Sequence, residues 1–191
     1  MRFLENIIHL TRLGLTDPNS SAMRQPYLCS LLNRPVTAAD VYTNHHDEYI
    51  RRYFLSSFPE IHLQDLVLDN HGRSFSGVIY INYELAHAVS NAPAYPTNDR
   101  YSVNALMLLL TTLYHEYAHL FGQYAHAGDE SDGTPGTLGE RGWAVEEHMF
   151  GGKLQSNFHP SDERLARIQD LSLERDGERI SISELYQIIM T

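Results

Sequence analysis

An α+β fold is predicted by three features of this 191-residue chain. One long stretch, starting near Asn98 or Ser102 and running to about Phe121, is apolar at helical spacing and nearly all round, which marks a buried central helix. Residues 63–82 change to β character. Shorter amphipathic segments flank both. The length suits one domain spanning 1–191, large enough to bury a core without disulfides.

The elements follow in order. Phe3, Leu4, Ile7, Ile8 and Leu10 keep helical spacing, and Gly14 is a natural stop. Pro18 and Pro26 interrupt the next stretch. The pattern TAADVYTNHHDEYIRRYFLSSF resumes as helix from Thr37, with Tyr49, Ile50, Tyr53 and Phe54 on one side. LQDLVLDN and GVIYIN read as two strands separated by the turn-rich DNHGRS, the second strand rich in residues that fit a pleated surface. Asn82 is placed to cap a short helix through YELAHAVSNA. Pro93 and Pro96 exclude regular structure before the long helix. After Gly122 comes a Gly, Asp and Ser-rich loop, then a second helix, ERGWAVEEHMFGG, stopped by Gly151 and Gly152. A helix over SDERLARIQD, a hairpin turning at Asp176-Gly177 and a last helix capped by Ser183 complete the expectation.

Composition narrows the function classes. A formal charge of −10, from 24 acidic against 14 basic residues, offers no footprint for phosphate backbones or anionic lipid, so neither nucleic acid nor a membrane is an expected partner. The longest greasy run, ALMLLL at 105–110, is far short of the ~20 residues that cross a bilayer. Polar residues from Glu5 to Arg12 interrupt the N-terminal apolar pattern, unlike a secretory signal, and Cys29 is the sole cysteine. Together these predict a cytoplasmic protein, with secretion after removal of a longer precursor segment as the alternative.

The chemistry concentrates in TTLYHEYAHLFGQYAH, residues 111–126. His115 and His119 lie one helical turn apart and about 40° round the axis, so both imidazoles can reach one ion. Glu116 points about 100° away from His115, poorly placed to ligate but able to reach a water on the same ion. This is the geometric content of H-E-x-x-H. Composition alone gives an expected count of roughly 0.04 for the motif. Neutral imidazoles suit Zn2+, which acidifies water into a usable nucleophile.

Two histidines leave the ion one protein ligand short. His126 is a minor candidate: on a continuous helix it lies ~10.5 Å beyond His119 along the axis, and only a break at Gly122 brings it back. The stronger candidates are Glu146 and Glu147 in the second helix. Glu146 shares the apolar face of Trp143 and Phe150, where an ionised carboxylate needs a cationic partner, and is preferred.

HEYAH followed by E-x-G-W-x-x-E-E-x-x-F-G-G resembles the small zincin-like metallopeptidases found especially in fungi, compact relatives of the gluzincins. The resemblance spans about half the chain, from GVIYIN to Gly152. It implies a compact zincin-like domain with a small β-sheet, a long HExxH helix and a glutamate-bearing helix. It further implies that His115, His119 and Glu146 bind zinc and that Glu116 is the catalytic base. The gluzincin pattern places an aspartate four residues after the ligand glutamate; here Phe150 stands there, and Glu140 is the expected outer partner of the histidines.

The expected function is therefore zinc-dependent hydrolysis of a peptide or protein, by Glu116-assisted attack of water. The strand GVIYIN is a candidate edge on which an extended substrate adds. Two alternatives use the same residues: a zinc enzyme acting on a small non-peptide molecule, or a silent zincin-fold binding protein. Adjacent His45 and His46 point about 100° apart on a helix and read as solvated surface.

Overall fold

In this computed structural model, residues 2–67, 70–91, 100–126, 140–158, 168–175 and 177–181 are described. Helix α1 (Arg2–Thr16) buries Leu4, Ile7, Thr11 and Leu15 at spacings of three and four, and runs through Gly14. The proline-bearing stretch after it is a chain of short helical turns: α2 (Ser21–Arg24), a 3-10 turn (Gln25–Tyr27) and α3 (Leu28–Leu32). Pro26 fits because it occupies the start of the 3-10 turn, where its missing N–H has no helical acceptor to lose. Helix α4 (Asn44–Ser56) begins later than its apolar pattern. The reason is a capping box, in which the Thr43 hydroxyl accepts from the His46 amide while the His46 ring accepts from the Thr43 amide.

Three strands follow, not two: β1 (Glu60–Gln64), β2 (Gly72–Phe75) and β3 (Val78–Asn82). Strand β3 is central, parallel to β1 and antiparallel to β2. The GVIYIN strand is thus paired on both sides, which corrects its expected role as an open edge. Among the described residues strand β2, formed from part of the turn-rich DNHGRS, is an edge strand instead. Asn82 does cap the next helix, α5 (Tyr83–Asn91), its Oδ1 accepting from the Glu84 amide at 3.1 Å. The same side chain donates to the carbonyls of Leu66 and Asn70, fixing the chain that enters β2.

Helix α6 (Arg100–Ala125) is the axis of the core, with Leu109, Leu113, Tyr117 and Phe121 fully buried in one continuous apolar cluster. It does not break at Gly122. A methyl group at that position would fall 2.6 Å from the Arg141 side chain, so glycine serves a close approach there. Arg141 opens helix α7 (Arg141–Phe150), which ends at Gly151. A second antiparallel sheet is formed by β4 (Lys153–Phe158), β5 (Ile168–Arg175) and β6 (Glu178–Ser181). Strand β4 was not foreseen. Residues 168–170, expected as the end of a helix, belong to β5, and the rest of that helix lies outside the described residues. Beyond the expected turn, Arg175 pairs with Glu178. The terminal helix after Ser183 also lies outside the described residues. Among these residues no helix is long and apolar enough to cross a membrane.

Candidate metal centre

Helical spacing on α6 brings His115 and His119 together with ring centroids 5.0 Å apart and their Nε2 atoms 3.3 Å apart. Two nitrogens bound tetrahedrally to one ion at about 2.05 Å are separated by about 3.3 Å, so the spacing suits a shared cation. Helix α7 closes the site from the side. Its second residue is Gly142, where a methyl group would fall 2.3 Å from the His115 ring, so only glycine lets the first turn of α7 lie on that imidazole.

This close packing positions Glu140, the N-cap of α7. Its Oε2 accepts from the Trp143 amide at 2.9 Å, while Oε1 lies 3.1 Å from His115 Nε2 and also contacts His119 Nε2. His115, His119 and Glu140 form the group of donors able to hold one metal ion found among the described residues.

Glu146 reaches the opposite nitrogen. Buried one turn and a half along α7, it accepts at Oε1 from His115 Nδ1 at 2.6 Å and at Oε2 from the Leu154 amide of β4 at 2.9 Å. It lies away from the atoms where the two rings converge, the place that Glu140 occupies. Glu147 is exposed and lines a cleft with Pro26 and Cys29 on the other side of α7. His126 donates its ring N–H to the Ser30 carbonyl at 2.9 Å, far along an unbroken helix from His119. The sequence signal for Glu140 was local: a glutamate two residues before a glycine, at a helix start, where an N-cap aims its side chain across the helix end.

Glu116 is buried with 6% exposure and shares a cavity wall with Ser74 of β2. Burial raises its pKa, and the nearby imidazoles only partly oppose that. His115 is shifted the other way from what burial dictates: its hydrogen bonds to Glu140 and Glu146 outweigh desolvation and lift it to about 10. Glu140 is held well below the usual carboxylate range, since its bonds to both rings overcome burial. Three carboxylates thus surround two imidazoles. A cavity of about 210 Å³ and another of about 240 Å³ both open onto Glu116.

A family model described as Metallopeptidase toxin 3 matches residues 30–151, well over half of the chain and the whole of α6 and α7. The chain belongs to that family. Neither a curated protein nor a solved structure matches it. Membership in Metallopeptidase toxin 3 supports a metal-dependent peptidase, hence an enzyme acting on peptide or protein, and the His115, His119 and Glu140 group gives such an enzyme a place for its ion. The toxin character of Metallopeptidase toxin 3 had no counterpart in the sequence reading, because neither composition nor motif carries it.

Proposed function

We propose that the chain is a zinc-dependent peptidase of the gluzincin type, in which His115, His119 and Glu140 hold the ion, Glu116 is the general base and Glu146 orients His115. The roles expected of the two glutamates are exchanged in this reading. One observation carries it: both Nε2 atoms face a single carboxylate oxygen of Glu140, while Glu146 holds the far side of the His115 ring. A bound zinc ion would act as a Lewis acid, polarising the scissile carbonyl and acidifying water.

The chain's own residues supply the rest. By accepting from Nδ1–H, Glu146 fixes the tautomer that leaves the Nε2 lone pair directed at the ion site. Glu116 takes a proton from the attacking water and returns it to the leaving amine, a task served by a carboxylate whose burial raises its proton affinity. Ser74 of β2 stands in the same cavity wall as that carboxylate. As an edge strand, β2 also leaves main-chain groups on which an extended peptide can pair beside Glu116.

Zinc affinity of the purified chain and of two variants tests the assignment. Glu140→Ala should lose more than about 100-fold, whereas Glu146→Gln should lose about 10- to 100-fold, the range typical of an outer partner. A larger loss for Glu146→Gln than for Glu140→Ala reverses the two roles. Absence of both stoichiometric zinc binding and peptide cleavage by the unaltered chain removes the proposed function altogether.

A further inference from the structure

The two cavities that meet at Glu116 differ in chemistry. One, about 210 Å³, lies between α6, α7 and β4; Leu108, Leu154, Trp143 and the threonines at 111 and 112 form its apolar wall, and Asn70, His71, His115, Glu116 and Glu146 its polar one. The hydroxyls of Thr111 and Thr112 are turned back onto the Met107 and Leu108 carbonyls of their own helix, which leaves their methyl groups as the available surface. The other, about 240 Å³, is bordered by Gly72, Arg73, Ser74, Glu116, His119 and Gln123, and is the more polar of the two. Gly72 and Glu116 belong to both walls.

Resting on the peptidase reading above, we propose that the cavity between α6, α7 and β4 is a specificity subsite for one aromatic or branched apolar side chain of the substrate. Size admits such a side chain: a cavity of about 150 Å³ is enough to hold a benzene ring, and this one is larger. Charge decides against the alternatives. An acidic side chain would be set against Glu116 and Glu146. A basic one finds Glu146 already spent, with Oε1 on His115 and Oε2 on the Leu154 amide, and could pair with Glu116 only by engaging the carboxylate that the proposed reaction uses as its base. The Trp143 ring is braced by the Lys153 ammonium, 3.7 Å from its centroid, so this wall is held in place although the indole is 44% exposed.

The zinc-loaded chain, given a proteome-derived peptide library, should cut beside Phe, Tyr, Leu or Met in preference to Gly or Ala, by about 10- to 200-fold in kcat/KM. Leu154→Phe, which keeps the backbone bond to Glu146 but fills the cavity, should shift the preference toward small residues. Trp143 is the chain's one tryptophan, and its fluorescence gives a readout independent of turnover. In metal-free protein it should respond saturably to N-acetyl-phenylalaninamide and not to N-acetyl-glutamate amide, and the response should be lost in Leu154→Phe. Cleavage with no apolar preference, or beside Lys, Arg, Asp or Glu, overturns the subsite and leaves the peptidase standing. A fluorescence response confined to the phenyl probe, with no cleavage of any peptide, supports the subsite and overturns the peptidase.

Discussion

Two buried polar clusters in this molecule are built on opposite principles. Arg24 is fully buried, and its guanidinium donates to both oxygens of Asp47 at 2.8 and 2.9 Å and to the carbonyls of Leu15 and Asp17 at 3.2 and 2.7 Å. The Tyr42 hydroxyl adds a donor to Asp47 at 2.8 Å. One cation meets one anion, and the geometry is closed. Around His115 and His119, by contrast, stand Glu116, Glu140 and Glu146. If all three ionise, they outnumber the imidazoles even with both rings protonated. Buried excess negative charge is costly unless a cation joins it, so the second cluster is organised for an ion while the first is complete.

The largest effect that sharpens this contrast is on turnover. Glu116→Gln should keep zinc, because Glu116 is not among the three donors, yet lose about 10²- to 10⁴-fold in peptide cleavage, the usual worth of a general base. Zinc content measured alongside the rate separates the two effects; loss of the ion in this variant would place Glu116 among the ligands. Next in size is a change in the closed cluster. Arg24→Met leaves Asp47 without its cation and should destabilise the fold by about 3 kcal/mol, the low end for a broken buried pair because Asp47 retains 17% exposure. Denaturant unfolding measures it. Zinc affinity should not change, and a drop would mean that the two clusters are coupled through the core.

The sequence made the central helix and the motif on it legible because a long periodic pattern with H-E-x-x-H is a local signal. The same holds for the Asn82 cap and for the α7 stop at Gly151, each set by one or two residues. What was hidden depended on close approaches between elements. Gly122 reads as a helix break by composition, yet α6 continues through it, and the glycine instead makes room for the Arg141 side chain. Which nitrogen of His115 each of Glu140 and Glu146 reaches depends on how closely α7 packs on that ring, which Gly142 permits and no spacing rule reveals. Strand β4 escaped notice because KLQSNF alternates weakly; its place comes from pairing with β5 and from the Glu146 bond to Leu154.

The smallest effect distinguishes the clusters by their protons. His115 is lifted from 6.5 to about 10 in the metal-free fold, so the folded chain holds a proton that the unfolded chain releases above 6.5. The stability this adds is fully present below 6.5 and is lost as pH rises through about 10. Glu116, with its raised pKa, contributes with the same sign. Asp47 contributes nothing in this window: Arg24 holds its carboxyl below the ordinary value against the pull of burial, so it titrates only in acid. The thermal midpoint of metal-free protein should therefore fall steadily between roughly pH 7 and pH 10. Saturating zinc should abolish that fall, because the ion takes the place of the proton, and zinc affinity should rise by about tenfold per pH unit over the same range. A midpoint that stays flat without zinc would mean that His115 carries no proton there, and that its two carboxylate neighbours do not hold it as the geometry requires.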